Sequence, residues 1–220
     1  MNSGLALVVL LSLLTFHASL AAQTVYFIRH AESEGNVLLK KGLKDQHAAL
    51  SDPSLTPYGK RQALTTRYYL ELREIEAVVV SPMSRTLETA ALVFGHSDVP
   101  FYVAPTVVEF CRSERKGILP CTIRPKNELK EKFTKFDFDS LDTNRAWGYH
   151  SESEAEFEKR VNDFKAWLRQ WMRDRKFGTI AVVTHSGFLK TIFNTSSWFK
   201  NCQVFVASFD SDGRLIGIFD

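Results

Sequence analysis

The sequence predicts an α/β protein whose mostly parallel central sheet is flanked by helices. Short β-branched and aromatic runs alternate along the chain with longer segments of helical period. Apolar residues make up 45% of the 220, enough for one sizeable core. Positive and negative charges are interleaved at a formal net charge of +3, so neither disorder nor a basic nucleic-acid surface is expected.

Residues 1–22 stand apart from this alternation. An apolar run from Leu5 to Phe16 is followed by small residues, with Ser19 and Ala21 placed as in an A-x-A-like cleavage site. That is the pattern of a secretory signal peptide. The segment before the run lacks Lys and Arg, which keeps an uncleaved anchor as the alternative, although the run is short of the ~20 residues that a span needs. Removal near Ala21 or Ala22 leaves residues 23–220 as a single domain with no stable membrane association.

That domain opens with "TVYFI" (24–28) as its first strand, followed by a helix from Thr56-Pro57 to about Arg73, where Thr56 offers an N-cap and proline the first helical position. "AVVV" (77–80) is the second strand, and a helix runs from about Met83 to Phe94, near Gly95. "FYVA" (101–104) is the third. Residues 110–150 show no clean period, carry Pro120 and Pro125, and are too long for an ordinary connector, so they read as an insertion covering a pocket. The strongest helix is Glu152 to Lys176, with Phe157, Val161, Phe164, Leu168 and Trp171 at helical spacing, Ser151 and Glu154 as a capping box, and Gly178 as the stop. "TIAVVT" (179–184) is the fourth strand, and 203–209 with 214–219 form a closing hairpin.

Of the three cysteines, Cys111 and Cys121 could pair in an oxidising compartment, leaving Cys202 over; three reduced thiols is the alternative. Asn194-Thr195-Ser196 is a glycosylation sequon, usable if exposed. No C-x-x-C pair or H-E-x-x-H helix occurs, so neither a metal site nor a cofactor is expected.

In open α/β sheets ligands bind beyond the carboxyl ends of the parallel strands. Arg29 and His30 end the first strand, Ser81 through Arg85 follow the second, Glu109 lies past the third, and His185 ends the fourth. A single histidine at a strand end is more often structural than catalytic, but four distant segments converging on one edge point to a site. Other polar residues read more plainly: Glu32 and Glu34 as solvated, His47, His96 and His150 as surface or loop histidines, and Ser186 as a turn residue. Ser33 reads as a substrate contact, and the aromatic stripe of the 152–176 helix as core.

"RHAESEGN" (29–36), "SLTPYGKRQA" (54–63), "SPMSRTLETA" (81–90) and "THSGF" (184–188), in that order, resemble the histidine phosphatase superfamily, also called phosphoglycerate mutase-like, over about Thr24 to Phe193. The resemblance implies a three-layer α/β/α sandwich of the phosphoglycerate mutase-like type. It implies His30 as a nucleophile that becomes phosphorylated, with Arg29, Arg85 and His185 holding phosphoryl oxygens and Asn36 adding a hydrogen bond. It also implies an acidic proton donor after the third strand, at Glu109. "EFCRSERKGILPC" (109–121) further resembles the plant and fungal phosphoglycerate mutase-like subgroup, except that Ser113 intervenes before Glu114 where that subgroup has a glutamate directly after the arginine. Glu114 competes with Glu109 as the acid. Glu109 follows the apolar "TVV" and stays near the strand ends, whereas Glu114 lies among Arg112, Arg115 and Lys116.

The chemistry agrees with the resemblance. A phosphate monoester carries up to two negative charges, so a site must neutralise its equatorial oxygens and present a nucleophile in line with the leaving group. Two arginines and a neutral imidazole can do so without a metal. The expected function is a secreted phosphatase acting on a small phosphorylated substrate. The alternatives are a mutase-type phosphotransferase, for which the expected tail over the site is not found after the last strand, a silent phosphate-binding protein, and a signalling phosphotransfer protein.

Overall fold

A computed structural model describes residues 23–111, 122–141, 147–148 and 152–218 of the chain. The expected signal segment, Glu114, Cys121, His150 and Ser151 lie outside those residues. The first half comprises β1 (Thr24–Arg29), α1 (Glu34–Lys40), α2 (Lys44–Ala48), α3 (Pro57–Leu70), β2 (Ala77–Val80), α4 (Ser84–Phe94) and β3 (Phe101–Val103), then a 3₁₀ turn at Pro105–Val107. Beyond it come β4 (Thr122–Ile123), α5 (Lys126–Lys132), β5 (Phe136–Asp137), β6 (Trp147–Gly148), α6 (Glu154–Asp174), β7 (Thr179–Thr184), α7 (Ser186–Ile192), β8 (Val204–Phe209) and β9 (Leu215–Ile218).

The main sheet has the order β5-β3-β2-β7-β1-β8-β9. Its first five strands run parallel, and β8 and β9 close it as the expected antiparallel hairpin. Strand side chains alternate between two cores, as the period of two requires. Ile28, Val78, Val80 and Val183 face α3 and α4, while Val25, Phe27, Val79 and Val182 face α6 and α7. The sheet is therefore the middle of three layers, as expected. Part of the 110–150 segment belongs to the main sheet: β5 extends it beside β3, with Phe136 stacked on Phe101 at 4.3 Å.

α6 buries Phe157, Val161, Phe164, Leu168 and Met172. Met172 takes the last place in the stripe, and Trp171 is half-buried against Tyr102 and Phe177. The capping box lies two residues later than expected, at Ser153 and Glu156, because Glu152 is held in an ion pair with Arg160 instead of entering the helix. The helix stops before Gly178: Lys176 takes the left-handed conformation (φ 58°) in the closing turn, where its N–H donates to Arg173 O and that of Phe177 to Met172 O.

Two close approaches bring α3 to the strand edge. Thr56 accepts from Gly59 N–H at 2.9 Å, capping α3 as expected, and the Thr56 N–H donates to Glu32 O at 3.0 Å. Gly59 packs so tightly that a Cβ there would sit 2.0 Å from the Glu32 carbonyl oxygen. Among the described cysteines, Cys202 is a free thiol whose pKa burial pushes up to about 11, and Cys111 is disulfide-bonded. Its expected partner, Cys121, lies outside the described residues.

Candidate active site

Parallel register sets the site. Arg29 pairs with Thr184, and Val80 with both Val183 and Val103, so the residues that follow, His30, Ser81 and His185, emerge at one edge. His30 is buried and held from three sides: its N–H donates to Thr184 O at 2.9 Å, its carbonyl accepts from Asn201 Nδ2 at 3.0 Å, and its Nδ1 lies 2.7 Å from Ala31 O. A carbonyl only accepts, so Nδ1 carries the proton and Nε2 keeps its lone pair. Burial, then the charges of Arg85 and Arg29, hold the imidazole well below its ordinary pKa, against the opposing Ala31 bond. His30 is thus a neutral base with a fixed tautomer.

The His185 ring lies 5.2 Å from that of His30, centroid to centroid. Its Nε2 meets the buried Ser81 hydroxyl at 2.9 Å, and its Nδ1 is buried with no hydrogen-bond partner. When Ser81 donates, Nδ1 carries the proton and can donate to an anion. Burial, Arg85 and His30 hold this imidazole well below its ordinary pKa also. Arg29 Nη1 donates to Phe199 O at 2.6 Å while its Nε is buried without a partner. Burial lowers the pKa of both Arg29 and Arg85, yet a guanidinium remains charged at any ordinary pH. Glu109 opposes that shift in both, so its carboxylate faces both cations. Glu109 Oε1 accepts from Phe110 N–H at 3.0 Å and packs on Gly187, where a Cβ would meet it at 2.3 Å.

The structure therefore brings together Arg29, His30, Arg85, Glu109 and His185. Asn36 and Ser33 stand beside them in another role: they form the capping box of α1. Asn36 Oδ1 accepts from the Ser33 N–H, the Ser33 hydroxyl and Asn201 Nδ2, each at 3.1 Å. The Ser33 N–H can only donate, which fixes which end of the Asn36 amide is the oxygen and leaves its NH₂ as the opposite, donor end. Glu32 is not solvated. It is buried, accepting Lys40 Nζ at 2.6 Å and Thr56 Oγ1 at 3.1 Å, whereas Glu34 is exposed as expected. Ser186 opens α7 rather than a turn, its hydroxyl buried without a partner.

Several residues had no signal in the sequence. Asp52 is buried, accepts from the Ser84 N–H at 3.0 Å and its hydroxyl at 2.6 Å, and supports Arg85 electrostatically. Burial raises its own pKa, against those bonds and the Arg85 charge. His47 is no free surface histidine: its ring packs 3.2 Å from the Cβ position of Gly35, its Nδ1 is buried, and burial with the Arg85 charge lowers its pKa. Asn201 joins His30 to Asn36. Among the described residues no three His, Cys, Asp or Glu side chains gather as metal ligands.

Two guanidiniums near enough to lower the pKa of His30, the lone pair of its Nε2 and an unpartnered His185 Nδ1 make a combination chemically suited to an anion. Comparison with known proteins agrees with that geometry. Residues 25–203 match the family model described as histidine phosphatase superfamily (branch 1). The chain is 33% identical to a phosphoglycerate mutase-like protein of Arabidopsis thaliana, over 82% of this chain and 76% of that one. It is 30% identical to phosphoglycerate mutase-like protein 1 of the same plant, over 81% and 72%. The fold is similar to the crystal structure of the ecdysone phosphate phosphatase from Bombix mori in complex with tungstate, with TM-score 0.67 and 15% identity over 90% and 92% of the two chains.

Two imidazoles held neutral make stability depend on acid. The unfolded chain protonates them near the ordinary pKa of 6.5, and the folded chain only well below it. From about pH 6.5 downward the unfolded state therefore binds more protons, so stability is full above that pH and falls as the pH drops through the window. His47 adds to the effect, and Asp52, whose pKa burial raises, opposes it: its folded form binds the proton first as the pH falls. Thermal unfolding in phosphate-free buffers from pH 8 to about pH 5 should show this decline, weakened in His185→Gln. A flat profile in the wild type would contradict the neutral assignment.

Proposed function

The chain belongs to the histidine phosphatase superfamily, and from that premise we propose that it hydrolyses phosphate monoesters through a phosphohistidine on His30, with Glu109 as general acid and base. The observation carrying this reading is the fixed tautomer of His30, whose Nδ1–H is held by Ala31 O so that Nε2 is the attacking atom. The phosphoryl oxygens take Arg29 and Arg85, whose charge suits the dianion, and the Nδ1–H of His185, which has no other partner. The NH₂ of Asn36 supplies a further donor, and Ser33 acts by holding Asn36.

Nε2 attacks phosphorus in line, the P–O bond breaks, and the leaving oxygen takes its electron pair together with a proton from Glu109 in its carboxylic acid form, leaving the carboxylate. Water then attacks the phosphohistidine, giving its proton to Glu109, and the P–N electron pair returns to Nε2. Acid–base help of this kind typically contributes ~10² to 10⁴-fold. The phosphoglycerate mutase-like relatives keep a second outcome in view, transfer of the same phosphoryl group to an acceptor other than water.

The secretory route completes the proposal. It rests on the pattern of residues 1–22 and on the disulfide at Cys111, a bond favoured in oxidising compartments. Amino-terminal sequencing of secreted protein should begin near Ala22 or Gln23; membrane-bound protein that retains Met1 would contradict it.

Rapid quench with a labelled substrate should trap an acid-labile, alkali-stable phosphoenzyme that His30→Ala abolishes. Its decay should release inorganic phosphate in step with turnover; decay only onto an acceptor would make the protein a transferase. Label on Ser33 or Ser186 would overturn the mechanism.

A further inference from the structure

Glu109 lies not on a strand but in the irregular stretch after β3, so something must hold the carboxylate in place. The backbone there is held at four successive carbonyls. Arg160 Nη1 donates to Thr106 O at 2.7 Å and Val108 O at 3.1 Å, and Nη2 donates to Glu109 O at 3.3 Å. The intervening Val107 O accepts from Thr184 Oγ1 at 2.7 Å, on the residue just before His185. The remaining N–H groups of Arg160 fork onto Glu152, Nε to Oε2 at 3.0 Å and Nη2 to Oε1 at 2.5 Å. Glu152 in turn pairs with Cys111: its N–H donates to Cys111 O at 2.9 Å, and its Oε1 accepts from the Cys111 N–H at 3.4 Å.

We propose that Arg160 is the positioning residue of the general acid: together with Glu152 it ties the 106–111 backbone to the start of α6 and so aims Glu109 at the leaving group. The proposal rests on the reading of Glu109 given above. Arg160 has five N–H donors, and the five contacts to carbonyl and carboxylate oxygens use all of them. A lysine, with three donors on one atom, cannot bridge the same span. The guanidinium lies over the Phe157 ring at 4.8 Å, and Phe157 stacks on Phe110 at 4.5 Å, so the residue after Glu109 is fixed from its side chain as well. On the far side the carboxylate meets Gly187 with no room to retreat. The hydrogen bond from Arg160 to Glu109 is to the backbone carbonyl, so it acts on placement; misplacing a reacting group by about 1 Å can cost ~10²-fold.

The test measures kcat/KM, which reports phosphoenzyme formation and not its hydrolysis, for one alkyl and one aryl phosphate, with Tm, for Arg160→Lys, Glu152→Gln, Glu109→Gln and the Arg160→Lys/Glu109→Gln double variant. An aryl leaving group departs without protonation, so formation of the phosphoenzyme from it is insensitive to the acid, while the later hydrolysis step, common to both esters, still uses Glu109 as base. Arg160→Lys should slow the alkyl ester by about 10- to 100-fold while holding the aryl ester within about threefold. The double variant should be no slower on the alkyl ester than Glu109→Gln alone. Glu152→Gln should show the same selectivity more weakly, and it decides the matter if Arg160→Lys does not fold. Equal losses on both esters, additive with Glu109→Gln, would mean a merely structural role and overturn the proposal. If Glu109→Gln itself lacks selectivity, the acid assignment fails; if Glu109→Gln is selective and neither Arg160→Lys nor Glu152→Gln is, the positioning proposal alone fails.

Discussion

Confined positive charge is the constraint on which the rest of this structure depends. Arg29 and Arg85 are drawn out of water at the sheet edge, close enough that each lowers the pKa of both imidazoles beside them. Isolated charges are costly to bury, so each guanidinium has local support, Arg29 from Phe199 O and Arg85 from the field of Asp52 and Glu109. That support is incomplete. Arg29 Nε and His185 Nδ1 are left as buried groups suited to an anionic oxygen. The same field keeps His30 neutral, which a nucleophile needs and an isolated imidazole near neutrality does not guarantee.

The fold makes that concentration of charge tolerable by fixing every piece from behind. Parallel pairing of β1 with β7 sets His30 beside His185, and Asn201 ties the His30 carbonyl to the capping box of α1. α3 presses Gly59 against the Glu32 carbonyl, and Asp52 reaches across to the first turn of α4, which carries Arg85. These are links between segments far apart in sequence, and each fixes the backbone of a site residue or of its neighbour. Rigidity of this kind lowers the reorganisation needed when charge shifts during phosphoryl transfer.

The parallel strands β1, β2, β3 and β7 and the closing hairpin were legible in the sequence because their signals are local: a short β-branched apolar run, ended in β1 and β7 by an abrupt Arg-His or Thr-His. What escaped was relational. Asp52, Asn201 and Glu152 have no local pattern, since their roles appear only when distant segments meet. Ser33 and Asn36 belong to a family motif and, at the same three-residue spacing, to the capping box of α1. The α6 capping box was misplaced by two residues because Glu152 serves Arg160 rather than the helix. His47 read as an ordinary loop histidine because only folding brings α2 against Gly35.

If the site is an anion trap, inorganic phosphate alone should bind it. The most direct measurement is thermal stability titrated with phosphate at constant ionic strength, with chloride as the control and Arg85→Gln beside the wild type. The account predicts saturable stabilisation of the wild type, about 2.7 kcal/mol at a hundredfold excess over Kd, and its loss in Arg85→Gln. Wild-type protein that responds to phosphate no more than to chloride would contradict it.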